Sequence, residues 1–203
     1  NRDNWTIIDV YLTDMDSKEF NFVVSHYDEF AKLYTADSVD NKIFNVYLQA
    51  MSNMARSRSF SETSYAGLKQ KITASGFKEA GKVIFTGDLN LYQMRGEQDK
   101  FLNLALTGLD KYYGKDYAML NRMAWYFFQI SSDPKYLEKA ADWAKKSISI
   151  QSTHENNDTY ANLMFKLGNK NEAVKYEKTA IELARKVNAP LQSYEESLKK
   201  FEE

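Results

Sequence analysis

Residues 160–186 read YANLMFKLGNKNEAVKYEKTAIELARK. Apolar residues recur at three- and four-residue spacing on both sides of Gly168-Asn169, which predicts two helices joined by a tight turn. Gly168 suits the end of the first helix, because glycine enters the left-handed conformation without a Cβ clash. Asn169 suits the cap of the second, with Glu172 at the reciprocal position three residues on. Ala161, Gly168, Ala173 and Ala180 place small residues where two helices of a hairpin would cross. A larger side chain at such a crossing would push the helices apart.

The same spacing extends upstream. Ala140 and Ala173 stand 33 residues apart, as do Ser147 and Ala180, close to the 34-residue period of tetratricopeptide repeats. Three hairpins are predicted: 78–95 with 98–113, 117–131 with 134–150, and 156–167 with 170–187. The match weakens toward the N-terminus. Extra residues fall around Ser131–Lys135, and Phe101 occupies a usually small position, although Ala105 and Gly108 follow at good spacing. In the third hairpin Glu177 stands where the repeat keeps an aromatic, with Tyr176 beside it. Pro190 opens a last helix with Leu191, Tyr194, Leu198 and Phe201 on one side and Glu195, Glu196, Lys199 and Lys200 on the other. One apolar and one wet face are what a terminal capping helix requires. An irregular helical bundle with accidental spacing is the alternative.

Ahead of the hairpins, Phe20, Val23, Tyr27, Phe30 and Tyr34 form one stripe, with Asp16 and Glu19 as its capping pair. Ile43, Tyr47, Ala50 and Met54 form the next. Ser57–Ser64 reads as a polar loop, and a helix over 64–74 ends at Gly76. The expected fold is all-α: antiparallel helix hairpins stacked as a short tetratricopeptide-like solenoid with a C-terminal capping helix. An N-terminal helical subdomain over 1–76 leads into hairpins and cap over 77–203, as one continuous body. Only 8 Gly and 2 Pro in 203 residues suit long helices.

Composition narrows the function. A net charge of −1 lacks the basic face that nucleic acid requires, and no run of about 18 apolar residues is present to span a bilayer. Cysteine is absent, which removes thiol nucleophiles, thiolate metal sites and disulfides. His26 and His154 are the only histidines. They are far apart, which leaves neither a nucleophile–base pair nor a zinc set marked. His26 reads as a structural residue and His154 as a surface one. The acidic turns Asp14-x-Asp16 and Asp37-x-x-Asp40 lack the glycine and downstream glutamate of a calcium loop. Asn4-Trp5-Thr6 and Asn157-Asp158-Thr159 fit a glycosylation pattern too short to carry weight. No catalytic residue, metal or cofactor is expected.

The stretch NWTIIDVYLTDMDSKEFNFVVSHYDEFAKLYTADSVDNKIFNVYLQAM, together with the C-terminal KLGNKNEAVKYEKTAIELA, resembles the segment that follows the thioredoxin domain in secreted thioredoxin-family proteins of Bacteroides-type bacteria. The resemblance implies a periplasmic or otherwise extracytoplasmic location and a supporting role beside a redox domain. That family's Cys-x-x-Cys would belong to a domain upstream of Asn1, so no redox residue carries over. A chain that starts at Asn1 reads as a fragment.

The leading expectation is therefore a non-catalytic interaction domain whose partner is a protein or peptide, the accompanying thioredoxin domain among them. The first helix of each repeat hairpin lines the concave face. By that analogy the candidate binding residues are Trp125, Phe128, Gln129, Asn162, Phe165 and Lys166, with Trp125 and Phe128 also fitting a plain core role. Two alternatives stand: a helical module whose aromatic rings stack on glycans or small ligands, and an all-α enzyme acting through two facing carboxylates, one with its pKa raised by burial.

Overall fold

The computed structural model describes residues 2–203, the side chains of residues 2–4, 7 and 9 excepted. Every regular element among them is an α-helix. The elements are α1 (Arg2–Tyr11), α2 (Lys18–Ser25), α3 (Tyr27–Tyr34), α4 (Ala36–Arg56), α5 (Glu62–Ala74), α6 (Ala80–Arg95), α7 (Gln98–Tyr113), α8 (Tyr117–Ile130), α9 (Pro134–Ile150), α10 (His154–Lys166), α11 (Lys170–Lys186) and α12 (Gln192–Glu202). The chain forms two compact units, 1–101 and 102–203. The sequence boundary at residue 76 and the structural one at residue 101 differ for a packing reason. α6 lies against α4 and α5, and its buried Val83 and Leu91 belong to the core of the first unit.

The first unit is organised around α4, which packs on α3, α5 and α6. Val39, Ile43, Val46, Tyr47 and Met51 form its buried stripe, so the expected stripe through Ala50 and Met54 is centred one position off. Phe20 and Val23 enter this core, while Tyr27, Phe30 and Tyr34 pack half-buried at its edge. The expected continuous helix breaks at His26, which ends α2 and precedes α3. Its start also shifts: Ser17, not Asp16, accepts the Phe20 amide at 3.1 Å, because a serine hydroxyl one residue later reaches the first free N–H groups. Ser61 caps α5 through the Ser64 amide at 3.1 Å, so the Ser57–Ser64 stretch is partly the helix start. Gly76 (φ 73°) follows α5 in the left-handed region.

Gly87 is the interior glycine of α6. A Cβ there would fall on the Met51 thioether, and Met51 is itself buried. Gly87→Val is expected to destabilise the first unit by about 1–3 kcal/mol, because overpacking a filled core outweighs the small helix-propensity gain. A urea titration showing no loss would contradict this close approach.

In the second unit the hairpins are antiparallel. Ser147 Oγ near the end of α9 donates to the Tyr117 carbonyl at the start of α8 at 2.8 Å. At the other end Phe127 meets Tyr136 with ring centroids 6.0 Å apart. α10 packs on α11, on α9 and on α8. The small residues lie where the spacing put them: Ala140, Ser147, Ala161, Ala173 and Ala180 are all buried. Asp133 caps α9 through the Lys135 amide, with Pro134 at the first position. Gly168 (φ 83°) closes α10, with the Asn169 amide bonded back to the Met164 carbonyl at 2.8 Å. Asn169 caps α11, but Glu172 turns to Lys175 at 3.2 Å rather than completing a box.

α8, α10 and α12 run parallel. Lys166 at the end of α10 reaches carbonyls at the end of α8. His154 and Phe165 of α10 meet Tyr194 and Phe201 of α12 in the same order. α12 thus lies on α10 and α11, with Phe201 of its apolar side buried.

Candidate functional site

The six candidate residues sit on α8 and α10. Trp125 and Phe128 are half-buried and stack on each other, centroids 4.9 Å apart and 26° between planes. Gln129 beside them is exposed. Lys166 lies over the Phe128 ring at 4.8 Å. Its ammonium donates to the carbonyls of Phe128 and Ser131, both at 2.7 Å. A cation on the last carbonyls of α8 offsets that helix's negative end. Trp125, Phe128, Gln129 and Lys166 therefore form one aromatic ledge with a basic edge.

The other two candidates are committed inward. Phe165 stacks on Phe201 of α12 at 4.7 Å, with Lys200 above it. Asn162 donates to the carbonyl and to a carboxylate oxygen of Asp158, at 3.0 and 2.9 Å. The α12 cap takes the side of α10 on which Phe165 lies. A helix pattern shows which residues share a side, not which neighbour will cover it.

Beneath that cap is a pair of carboxyls. Asp158 of α10 and Glu177 of α11 lie within hydrogen-bond reach of each other. Glu177 is 0% exposed, and neither of its oxygens has an N–H or O–H donor. Two carboxylates cannot satisfy each other when both are ionised, so the contact requires a proton between them. Burial, then the Asp158 charge, pushes Glu177 up to about 9. Burial also raises Asp158, to about 6, against the opposing contact with Glu177, the Asn162 amide and the nearby His154.

His154 is not the free surface residue expected. It opens α10, is half-buried, and its Nδ1 lies 2.8 Å from the Tyr194 hydroxyl of α12. Asn157 is equally unavailable to modification: it is buried, its amide donating to Ser152 Oγ and the Thr153 carbonyl. The side chain of Asn4 lies outside those described.

The facing carboxyls meet the electronic half of the carboxylate-enzyme alternative. Glu177 has no surface through which a substrate could approach, and an acid–base group must come within hydrogen-bond reach of the proton it moves. The departure at position 177 from the repeat's aromatic was the one sequence signal for this pair. Hairpin geometry brings Asp158 and Glu177 together, 19 positions apart, across the α10–α11 turn.

Elsewhere in the second unit, Asp110 of α7 accepts from Lys139 at 2.8 Å, Lys146 at 3.0 Å and Trp143 Nε1 at 3.1 Å. Burial opposes its ionisation, but these donors win and hold it down at about 2. The network ties α7 to α9. In the first unit a cleft of about 370 Å³ is lined by Ser25, His26, Tyr27, Ser75 and Lys78 among others. Asp28 and Glu29 also line it, and its lysine is spent locally, since Lys78 pairs with Asp40 at 2.7 Å and donates to Tyr27 at 3.0 Å. His26 Nδ1 lies 3.0 Å from the Phe22 carbonyl, a structural role. Among the described residues no group of three or more His, Asp or Glu is placed to hold a metal ion, and no helix is long and apolar enough to cross a membrane. Comparison with models of protein families, with curated proteins and with solved structures returns no match.

Proposed function

We propose that this chain is a non-catalytic helical interaction scaffold, a short tetratricopeptide-like solenoid that presents the Trp125–Phe128 ledge to a protein or peptide. One observation carries the reading. Two large rings stack half-exposed on the first helix of a hairpin, while the small residues at the helix crossings are wholly buried. Half-buried aromatic anchors beside a cation are the usual centre of a binding surface. Following the resemblance of its sequence, the scaffold accompanies a thioredoxin-like thiol–disulfide oxidoreductase domain outside the cytoplasm. That part is tested in the gene, where a Cys-x-x-Cys domain is expected upstream of Asn1 and its absence removes the proposal.

The ledge is tested by selecting peptides on the whole chain from a random displayed library. Trp125→Ala is expected to weaken the selected peptides by roughly 30-fold or more, the scale of a central aromatic anchor, with the helical circular dichroism retained. Equal binding by wild type and variant would refute the assignment. The stacked rings also favour a second reading, a face for glycans. Sugar binding that survives peptide competition would select it.

A further inference from the structure

We propose that Asp158 and Glu177 share one proton and thereby act as a pH-sensitive clasp, which holds α12 over α10 and releases it when the proton is lost in alkaline medium. The inference concerns the cap alone and stands whether or not the ledge binds a partner.

The geometry requires the proton. Glu177 is sealed from solvent and has no donor of its own. An ionised Glu177 would put a sealed, unpartnered charge beside the carboxylate of the half-buried Asp158, and only water or separation could relieve that. Asn162 supplies Asp158 with one donor, which favours Asp158 as the acceptor and Glu177 as the proton holder.

Among the described residues no lysine or arginine forms an ion pair with Asp158 or Glu177, and the cationic influence on the pair is that of His154 on Asp158. On α10 the titratable neighbours are His154 and Glu155. His154 is engaged by Tyr194 at 2.8 Å and by Glu155 at 3.4 Å. From α12 the neighbour is Tyr194, whose hydroxyl is raised by burial and then by the charges of Asp158, Glu155 and Glu177. From α9, Lys145 is held among Tyr160, Tyr176 and Glu172. Arg122 of α8 turns to Met119.

Little buried surface holds α12 to the helices of the pair. Phe201 is its one buried side chain among the described residues. Its ion pairs, Lys178–Glu202 at 2.9 Å and Arg185–Glu195 at 3.6 Å, are exposed and worth little. Lifting α12 gives the pair water at less cost than parting α10 from α11, whose crossing is filled by Ala161, Ala173 and Ala180. The sign follows from linkage. Glu177 has an ordinary value of 4.5 and is raised to about 9 when closed in. Closure therefore takes up a proton, its stability is fully present below about pH 4.5, and it is lost as pH climbs to about 9. One proton changes the open-to-closed ratio by up to about tenfold per pH unit.

Amide hydrogen exchange of the full chain at pH 5 and pH 9, corrected for intrinsic rates, tests this. Protection of α12 is expected to fall at least 100-fold in the wild type, with α10 and α11 losing far less. In Glu177→Gln, whose amide donates to Asp158 without titrating, α12 protection is expected to be the same at both pH values. Glu177→Met, which removes the titrating carboxyl from the same buried position, serves the same purpose if that variant does not fold. A wild-type α12 indifferent to pH, an unaltered pH response in the neutral variants, or equal loss across α8–α12 would each overturn the clasp.

Discussion

Replacing Trp143 by alanine is expected to destabilise the second unit by about 3–5 kcal/mol, the range for truncating a buried aromatic. Trp143 is 1% exposed. Its ring meets Phe127 edge-on at 5.0 Å, and its indole N–H donates to Asp110 at 3.1 Å. The truncation therefore loses the transfer free energy of the ring, leaves a cavity between α8 and α9, and breaks one of three bonds joining α7 to α9. Asp110 keeps Lys139 and Lys146, so its charge is not stranded and the loss is mainly one of packing. For a unit of this size the melting temperature should drop by roughly 15–30 °C. Thermal melts followed by amide exchange in α8 and α9 measure it. A loss below about 1 kcal/mol would show that this part of the core collapses onto the gap. Trp125→Ala, at a half-buried ring, should cost clearly less, which separates the core tryptophan from the ledge tryptophan.

Phe201→Ala is expected to undock α12 at every pH. Phe201 is 1% exposed and stacks on Phe165. Its truncation costs about 3–5 kcal/mol, more than exposed ion pairs and the Tyr194–His154 hydrogen bond can hold against an 11-residue helix with little stability of its own. Exchange protection in α12 should vanish at pH 5 as well as at pH 9, while α8–α11 stay protected. Phe165 then becomes accessible on α10. Retained α12 protection would mean that Leu191, Tyr194 and Leu198 anchor the cap unaided. Global unfolding instead would show that α12 is part of the cooperative core. The clasp makes a different forecast, α12 held at pH 5 and loosened at pH 9, so the two variants test separate links.

The candidate face illustrates why some residues were readable and others were not. Trp125 and Phe128 were legible as neighbours because the helix repeat puts residues three apart on one side. Phe165 and Asn162 followed the same rule yet serve other purposes, because α12 and Asp158 claim them. His154 looked like loop polarity and proved to be an α10 residue held by Tyr194, 40 positions away in the chain. Glu177 broke the repeat's pattern in plain view, but its partner was hidden. A mismatch in one helix does not say what the opposite helix offers.

By itself the sequence determined most of the helices, several of their caps and the small residues that are buried in the second unit. Those are local properties: a period of 3.6, a side chain that satisfies nearby amides, and an alanine that permits approach. It also ruled out thiol chemistry outright, by containing no cysteine. Tertiary structure alone decided that α6 joins the first unit, that α12 covers α10, and that Glu177, facing Asp158, is sealed from water. Burial, and with it the protonation of a carboxyl, depends on which surfaces come together across distant segments, and that information is not carried by any one stretch of chain.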